Sequence, residues 1–364
     1  MKIALLGDLA LIGRYDTLSD SKVSERVAKV AEATKNCDFV IANLESPFTT
    51  KQKTHICKGV YLKSDPRNVS ILKDMNITHV TLANNHTFDY GVKGAEETIR
   101  TLEQNGIGYV GLCNEPALLK SGSEKVLLEG FCCYSANGVR YGNTPMHLRT
   151  LCEDEMSSFF EKARKANAFP IASVHFGIEG VHYPSPEHLR FFRSFAKEYN
   201  YILHGNHPHA IQGIEQTEGS LLYYACGDLC FDDATETSIN SVATQSDESR
   251  QNYIAIINIE ENKCTHMQLI SLSDLPDGII KESEKVSHYV KEYSENLSKD
   301  YSKIATLRKT SPSGASTGAS KRNLTFFTDR LNYKYIGAYI NGKLHARKYR
   351  KLFSKYFTGS DNRG

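Results

Sequence analysis

The sequence predicts an α/β protein with a largely parallel central sheet, helices outside it, and polar residues collected at the strand ends. Three observations carry that expectation. Apolar runs of strand length alternate with helix-length amphipathic stretches through the first two-thirds of the chain, the pattern of βαβ units. Several runs end in Asp, Asn, Glu or His, where ligands bind in such sheets. The 364 residues are 40% hydrophobic and 24% charged, enough for one large soluble domain with appendages or for two ordinary domains.

The first run, KIALLGD, reads as a buried strand. Asp8 interrupts it and no small-residue cleavage pattern follows, so it is expected to be a strand and not a leader. A helix-like stretch from Ser24 to Thr34 leads into a second strand, DFVIANLE. The helical VSILKDMN precedes a third, ITHVTLANNH, and residues 92–104 form a helix stopped at Asn105-Gly106 before a fourth, IGYVGL. KVLLEGFCCYSA, FPIASVHFG, YNYILHGNH and SLLYYACGDL are four more strand-like runs. NYIAIINIEENKCTHMQLISLS predicts a hairpin turning at Glu261-Asn262, and residues 280–305 a charged helical stretch. The segment KTSPSGASTGASK lacks apolar periodicity and reads as a linker. The expected domains are therefore 1–305 (including the trailing hairpin and helix), a flexible linker 306–322, and a basic aromatic tail 323–364.

Nine cysteines, odd in number and irregularly spaced, are expected to be reduced thiols of a cytoplasmic protein. No apolar run approaches the ~20 residues of a membrane helix. The net charge of +2 conceals an asymmetry: residues 321–364 hold eleven Lys/Arg and two Asp, hence +9, which leaves −7 on the remainder. Such a tail is expected to dock on its own acidic domain or on a second copy. It also suits peripheral contact with an anionic membrane or polymer. Nucleic acid is not an expected partner, because no recognised binding module accompanies the charge.

Hard and borderline metal ligands collect in five segments: Gly7-Asp8, Asn43-Leu44-Glu45, Asn84-Asn85-His86 with Asp89, His175, and His204 to His209. Residues two apart on an extended strand share a face, so Asn43 and Glu45, and likewise His207 and His209, are expected to point together. Carboxylate, amide oxygen and imidazole together suit Mn, Fe or Zn. A centre of this kind activates water and polarises phosphoryl oxygens, and an imidazole nearby can protonate the leaving oxygen.

The segments LLGDLALIGR, IANLESPFT, TLANNHTFDYG, VHFGIEG…YPSPEHLRFF, ILHGNHPHAIQGIE and LLYYACGDLCFDD, in this order, resemble the motifs of the CapA or PGA-capsule family. That family is a branch of the calcineurin-like metallophosphoesterases. The resemblance covers roughly residues 1–235 and implies a four-layer αββα sandwich, here with a C-terminal basic helical tail. It implies Asp8 and His209 as ligands of a first metal, Asn85, His175 and His207 as ligands of a second, and Glu45 as the bridging carboxylate. By strand register Asn43 takes the place of the family's usual aspartate. His86 corresponds to the leaving-group acid, with Asp89 as the residue that orients it. Two divalent ions (Mn, Fe or Zn) follow. The wider superfamily's Asp-x-His motif has Ala10 in place of the histidine, which weakens the first site, while Asp228 stands where the family usually has Asn and offers an extra carboxylate.

Arg14, Asn43, Asn84, Glu179 and His204 are candidates to meet an anionic substrate. For Arg14 and Glu179 the alternative is a salt bridge or cap, and for His204 a buried structural histidine. The resemblance implies a metal-dependent hydrolase of phosphoric mono- or diesters, with amide hydrolysis as a variant, serving capsule polysaccharide or poly-gamma-glutamate biosynthesis beside other enzymes of that pathway. The alternative is a non-catalytic accessory protein whose metal site binds an acidic polymer or a partner enzyme.

Overall fold

Alternate residues of β1 (Lys2–Leu9) enter different cores: Ile3 and Leu5 join one apolar cluster, Ala4 and Leu6 another. Both faces of the strand are covered, which explains why it reads as a continuous apolar run. β2 (Phe39–Leu44), β3 (His79–Thr81) and β4 (Gly108–Val110) add to it in parallel, in the order β1-β2-β3-β4. The structure, a computed structural model, describes residues 1–52, 57–136, 146–217, 219–236, 241–275, 278, 280–310 and 333–357.

The chain then builds a second sheet, which the alternation alone does not reveal. β5 (Ala117–Ser121) and β6 (Glu124–Cys132) form a hairpin, and β7 (Phe169–His175) and β8 (Ile202–Asn206) follow in parallel. β9 (Ile214–Thr217) turns back as the edge of β10 (Ser220–Tyr223), giving the order β5-β6-β7-β8-β10-β9. β11 (Asp228–Cys230) returns to the first sheet beside β1, opposing Asp228 to Asp8. β12 (Ala234–Glu236) and β13 (Ser241–Ala243) pair as a separate ribbon. β14 (Gln251–Glu260) and β15 (Lys263–Asp274) form the predicted hairpin on the other side of β1, with β16 (Ile280–Glu282) as the edge. Glu261 and Asn262 both have positive φ, 49° and 58°, as a two-residue turn matching right-handed strand twist requires.

Three large apolar clusters mark three interfaces, and hence four layers, with a fourth small cluster of Ala10, Leu62, Phe231 and Ala234 beside them. The helices α1 (Val23–Arg26), α2 (Ala28–Thr34), α3 (Val69–Asp74) and α4 (Gly91–Gln104) cover the outer face of the first sheet through Val23, Val30, Leu72 and Leu102. Between the sheets lie Ile3, Leu5 and Ile41 from one side and Leu128, Ile171 and Ile202 from the other. α5 (Glu153–Ala166) and α6 (Pro186–Ala196) cover the second sheet with Phe159, Phe160, Phe191 and Phe195. This is the αββα sandwich.

Several local expectations change. The helix expected over 24–34 breaks between Arg26 and Ala28, and residues 280–282 form a strand where helix was expected. α7 (Glu284–Leu297) then buries Val286 and Val290 against the inter-sheet core. α8 (Tyr301–Thr310) runs through 306–310, the first part of the expected linker; residues 311–322 lie outside the described residues. Of the tail, α9 (Tyr333–Leu352) and the turn after it pack on α6, placing Phe353 and Tyr356 in the core of the second sheet; residues 323–332 and 358–364 are outside the described set.

The backbones crowd where β1 and β8 end. A Cβ on Gly7 would fall 1.8 Å from the Gly227 carbonyl oxygen, and one on Gly205 1.9 Å from that of Tyr224. Backbone cannot yield as a side chain can, so Gly205→Ala is expected to cost at least the ~1–3 kcal/mol typical of overpacking. A thermal melt checks this; an unchanged midpoint would show that the strands can part freely.

Candidate metal centre

The carboxyl ends of parallel strands from both sheets deliver the site. Asp8 sits on β1, Asn43 on β2 with Glu45 just beyond it, Asn85 and His86 after β3, His175 at the end of β7, and His207 and His209 after β8. Glu45, His175 and His207 can each offer one ligand atom within 4.8 Å of the others, and so can Asp8, Glu45 and His209; Glu45 belongs to both groups. His207, His209 and the exposed Glu179 form a third such group. Asn85 Oδ1 lies 3.0 Å from His175 Nε2, so the structure also brings the amide beside the first group.

His207 and His209 converge by a route other than strand alternation. Both leave the extended region, with φ of 99° and 50°, conformations that non-glycine residues adopt at a cost and that cluster at functional sites. The His207 N–H, thus turned, donates to Asp8 Oδ2 at 2.9 Å.

Burial and charge crowding define the electrostatics. Burial first, and then the nearby Asp228, push the Asp8 carboxyl up to about 7, against the pull of His209. Burial also raises Glu45 well above the usual carboxylate range, with Asp8 and Asp228 adding to the effect. His207 is driven down to about 3 and His175 well below its ordinary value, mainly by burial. His209 goes the other way: burial opposes its charge, but Asp228, 2.8 Å from Nδ1, and Glu45 hold it protonated.

Within this cluster Glu45 Oε2, His207 Nδ1 and Asp228 Oδ2 are buried without a hydrogen-bond partner. Leaving such atoms unpaired is costly, and a divalent cation accepts carboxylate oxygens and imidazole nitrogens together as ligands. The donor set therefore fits a metal. Because Asp8, Glu45 and the protonated His209 must give up protons to bind it, affinity is expected to rise with pH through about 7, where Asp8 titrates. Calorimetry in two buffers of different ionisation enthalpy checks this; a heat that does not depend on the buffer would sink it.

The residues beneath the ligands are scaffolding, which counts against Asn43 and Asn84 as substrate contacts and takes the buried structural alternative for His204. Asn43 is fully buried, and its Nδ2 donates to Asp8 Oδ1 at 2.7 Å and lies 3.3 Å from His175 Nδ1. Asn84 donates to the Leu44 carbonyl at 2.8 Å and accepts from the N–H groups of His86 and Thr87, an Asn-centred turn that shapes the loop. His204 spans the two sheets, with Nε2 2.7 Å from the Leu6 carbonyl and Nδ1 3.1 Å from Ser173 Oγ; burial holds it near 4 and thus neutral. With their polar atoms committed inside the protein, none of the three is placed to meet substrate. Arg14 is likewise engaged, its Nη2 2.9 Å from Asp232 Oδ1 and its own N–H on Oδ2.

His86 Nδ1 lies 2.7 Å from Asp89 Oδ2, so it carries the proton and Nε2 is the nitrogen left for chemistry. Sequence reasoning missed the third member of this group. Lys58 is buried and places Nζ 2.7 Å from Asp89 Oδ1, 2.7 Å from the Asn85 carbonyl and 3.0 Å from His86 Nδ1. No spacing rule links a lysine in an irregular segment to a histidine 28 positions on. Asp228, weighed earlier only as an extra carboxylate, arrives through the β1–β11 pairing and stands opposite Asp8.

Residues 2–233 match the model of a family described as "Bacterial capsule synthesis protein PGA_cap". The chain is 27% identical over 256 residues to the PGA biosynthesis protein CapA of Bacillus subtilis (strain 168), covering 67% of this chain and 67% of that one. It is 26% identical over 239 residues to the capsule biosynthesis protein CapA of Bacillus anthracis, covering 62% of this chain and 58% of the relative. Among solved structures, the 5'-nucleotidase precursor from Thermus thermophilus is similar at a TM-score of 0.42 and 9% identity, over 82% of this chain and 59% of that one.

Proposed function

We propose, from the premise that the chain belongs to the bacterial capsule synthesis protein family PGA_cap, that it is a metal-dependent hydrolase of phosphate esters serving capsule or poly-gamma-glutamate biosynthesis. The observation that carries this reading is the pair of donor groups sharing Glu45, with three of the cluster's buried polar atoms lacking a hydrogen-bond partner.

Asp8, Glu45 and His209 would hold one ion, with Asp228 beside them, and Glu45, His175, His207 and Asn85 a second. Bound there, divalent ions supply Lewis acidity toward a phosphoryl group and activate water for attack. The chain's own residues do the rest. Asn43 fixes the Asp8 carboxylate, Asn84 shapes the loop bearing Asn85 and His86, and Asp89 selects the His86 tautomer. Burial first, and then Lys58, hold His86 below its ordinary value, so the resting imidazole is neutral. To protonate a leaving oxygen from Nε2 it first takes up a proton, which the negative charge of a bound phosphate favours.

The test is metal content of the purified protein together with Mn-dependent hydrolysis of generic phosphomonoesters and phosphodiesters, wild type beside His86→Ala. Removing a general acid is expected to lower the rate by about 10²–10⁴-fold while metal content stays unchanged. Protein that binds metal yet hydrolyses nothing would support the accessory-protein reading instead.

A further inference from the structure

One face of α9 is occupied by the protein itself. His345 is buried, Tyr349 packs on His188 at 5.3 Å between ring centroids and donates from its hydroxyl to Glu187 Oε1 at 2.9 Å, and Arg190 donates to the Tyr356 carbonyl at 2.6 Å. Gly337 abuts Cys57, where an added Cβ would fall 2.6 Å from Cys57 Cβ. The helix is thus held along the surface, with its inward side spent on tertiary packing.

Its outward side is apolar and cationic together. Among the described residues ten large hydrophobic side chains are exposed, and six of them, Tyr333, Ile336, Tyr339, Ile340, Leu344 and Leu352, lie on this helix. Ile336, Ile340 and Leu344 recur every four residues, so they form one stripe, and they are 47–51% exposed. Lys343, Arg347 and Lys351 continue that stripe toward the C-terminus and are exposed. Residues 333–357 contain no Asp or Glu, and among the described residues Lys343, Arg347, Arg350 and Lys351 form no ion pair with a carboxylate.

We propose that this face of α9 seats the protein on an anionic lipid bilayer surface. A flat helix presenting isoleucine, leucine and tyrosine beside unpaired Lys and Arg buries its apolar stripe at the headgroup boundary while the cations meet lipid charge. The long Lys and Arg stems let their charged ends reach headgroups as the apolar residues sink. No described helix is long and apolar enough to cross a membrane, so the contact is with the surface. The same helix touches the rim of the candidate site: Lys334 lies over the Tyr61 ring at 5.9 Å, in the segment that delivers Lys58. Seating α9 would therefore hold the metal centre close to the bilayer. The inference rests on the exposed face alone and stands whether or not the site is hydrolytic.

The experiment is co-sedimentation of the full chain with phosphatidylcholine vesicles, with and without phosphatidylglycerol, at low and high salt. Wild type is expected to pellet only with the anionic vesicles, and less at high salt. The double variants Ile340→Glu/Leu344→Glu and Arg347→Glu/Lys351→Glu each should bind at least about tenfold more weakly, with melting temperature and circular dichroism unchanged because these side chains are exposed. Equal binding to neutral vesicles, or none to either, overturns the proposal. So does a concentration-dependent dimer in light scattering that the same variants dissolve, which would assign the face to a second copy.

Discussion

Glu45→Gln is expected to abolish the stabilisation that added Mn(II) or Zn(II) gives the wild type, and to lower phosphoester hydrolysis by on the order of 10³-fold. Glu45 is the one residue common to the Asp8–His209 and His175–His207 donor groups, so a neutral amide there weakens both. The metal-free protein should respond in the opposite direction. Burial raises the folded-state pKa of Asp8 to about 7 and lifts Glu45 well above its ordinary value, so the folded state binds more protons than the unfolded one above about pH 4. Stability from these groups therefore falls as pH rises from about 4 toward 7, and glutamine removes one of the two sources. Melting curves with and without metal measure both effects. A variant that keeps the full metal-induced shift would show that Glu45 is not a shared ligand.

Lys58→Met should carry the largest cost in stability among the site variants. The Lys58–Asp89 pair is buried on both sides, with 2.7 Å between Nζ and Oδ1, and removing one partner of such a pair leaves the other charged in low dielectric, at about 3–5 kcal/mol. The lower end is expected, because Asp89 keeps the Leu62 N–H at 2.8 Å and His86 Nδ1. The effect has a pH signature. Burial works against the Asp89 carboxylate, but Lys58 and His86 prevail and hold its pKa below the usual value. Its contribution is therefore present above the unfolded value near 4 and is lost as pH falls through the lower folded value. Urea unfolding should show the gap between wild type and variant at pH 7 and its closure below about pH 4. A gap independent of pH would mean that Lys58 acts by packing alone. Freed from Lys58, the loop of Asn85 and His86 should also hold its geometry less well, with a further loss in rate of about 10–100-fold.

How much of this was legible beforehand depends on whether the determining interaction is local. Strand and helix periodicity is local, so β1, β2, β6, β7, β8 and the β14–β15 hairpin with its Glu261-Asn262 turn could all be read from the sequence. So could the gathering of Asp8, Glu45, Asn85, His86, His175, His207 and His209 in one place, because each stands at or just beyond a strand end and the motif resemblance gave their order, although the strands divide between two sheets. Which sheet a strand joins is not local. The division into two sheets, the return of β11 beside β1, and the edge strand at 280–282 depend on pairings between residues far apart in the chain.

The same distinction separates the ligands from their supports. A carboxylate or imidazole at a strand end advertises itself, whereas Asn43, Asn84 and His204 look identical in sequence whether they face a ligand or the protein. Only the packed structure shows their polar atoms already committed to Asp8, Leu44, Leu6 and Ser173. Lys58 carries no signal at all, since a lysine in an irregular segment is ordinarily solvated, and only the fold encloses it against Asp89. Composition and charge placed an acidic domain beside a basic aromatic tail. That one side of the tail helix is used in packing while the other keeps Ile336, Ile340 and Leu344 exposed was decided by tertiary structure, because an amphipathic pattern with two apolar faces does not say which of them the protein will bury.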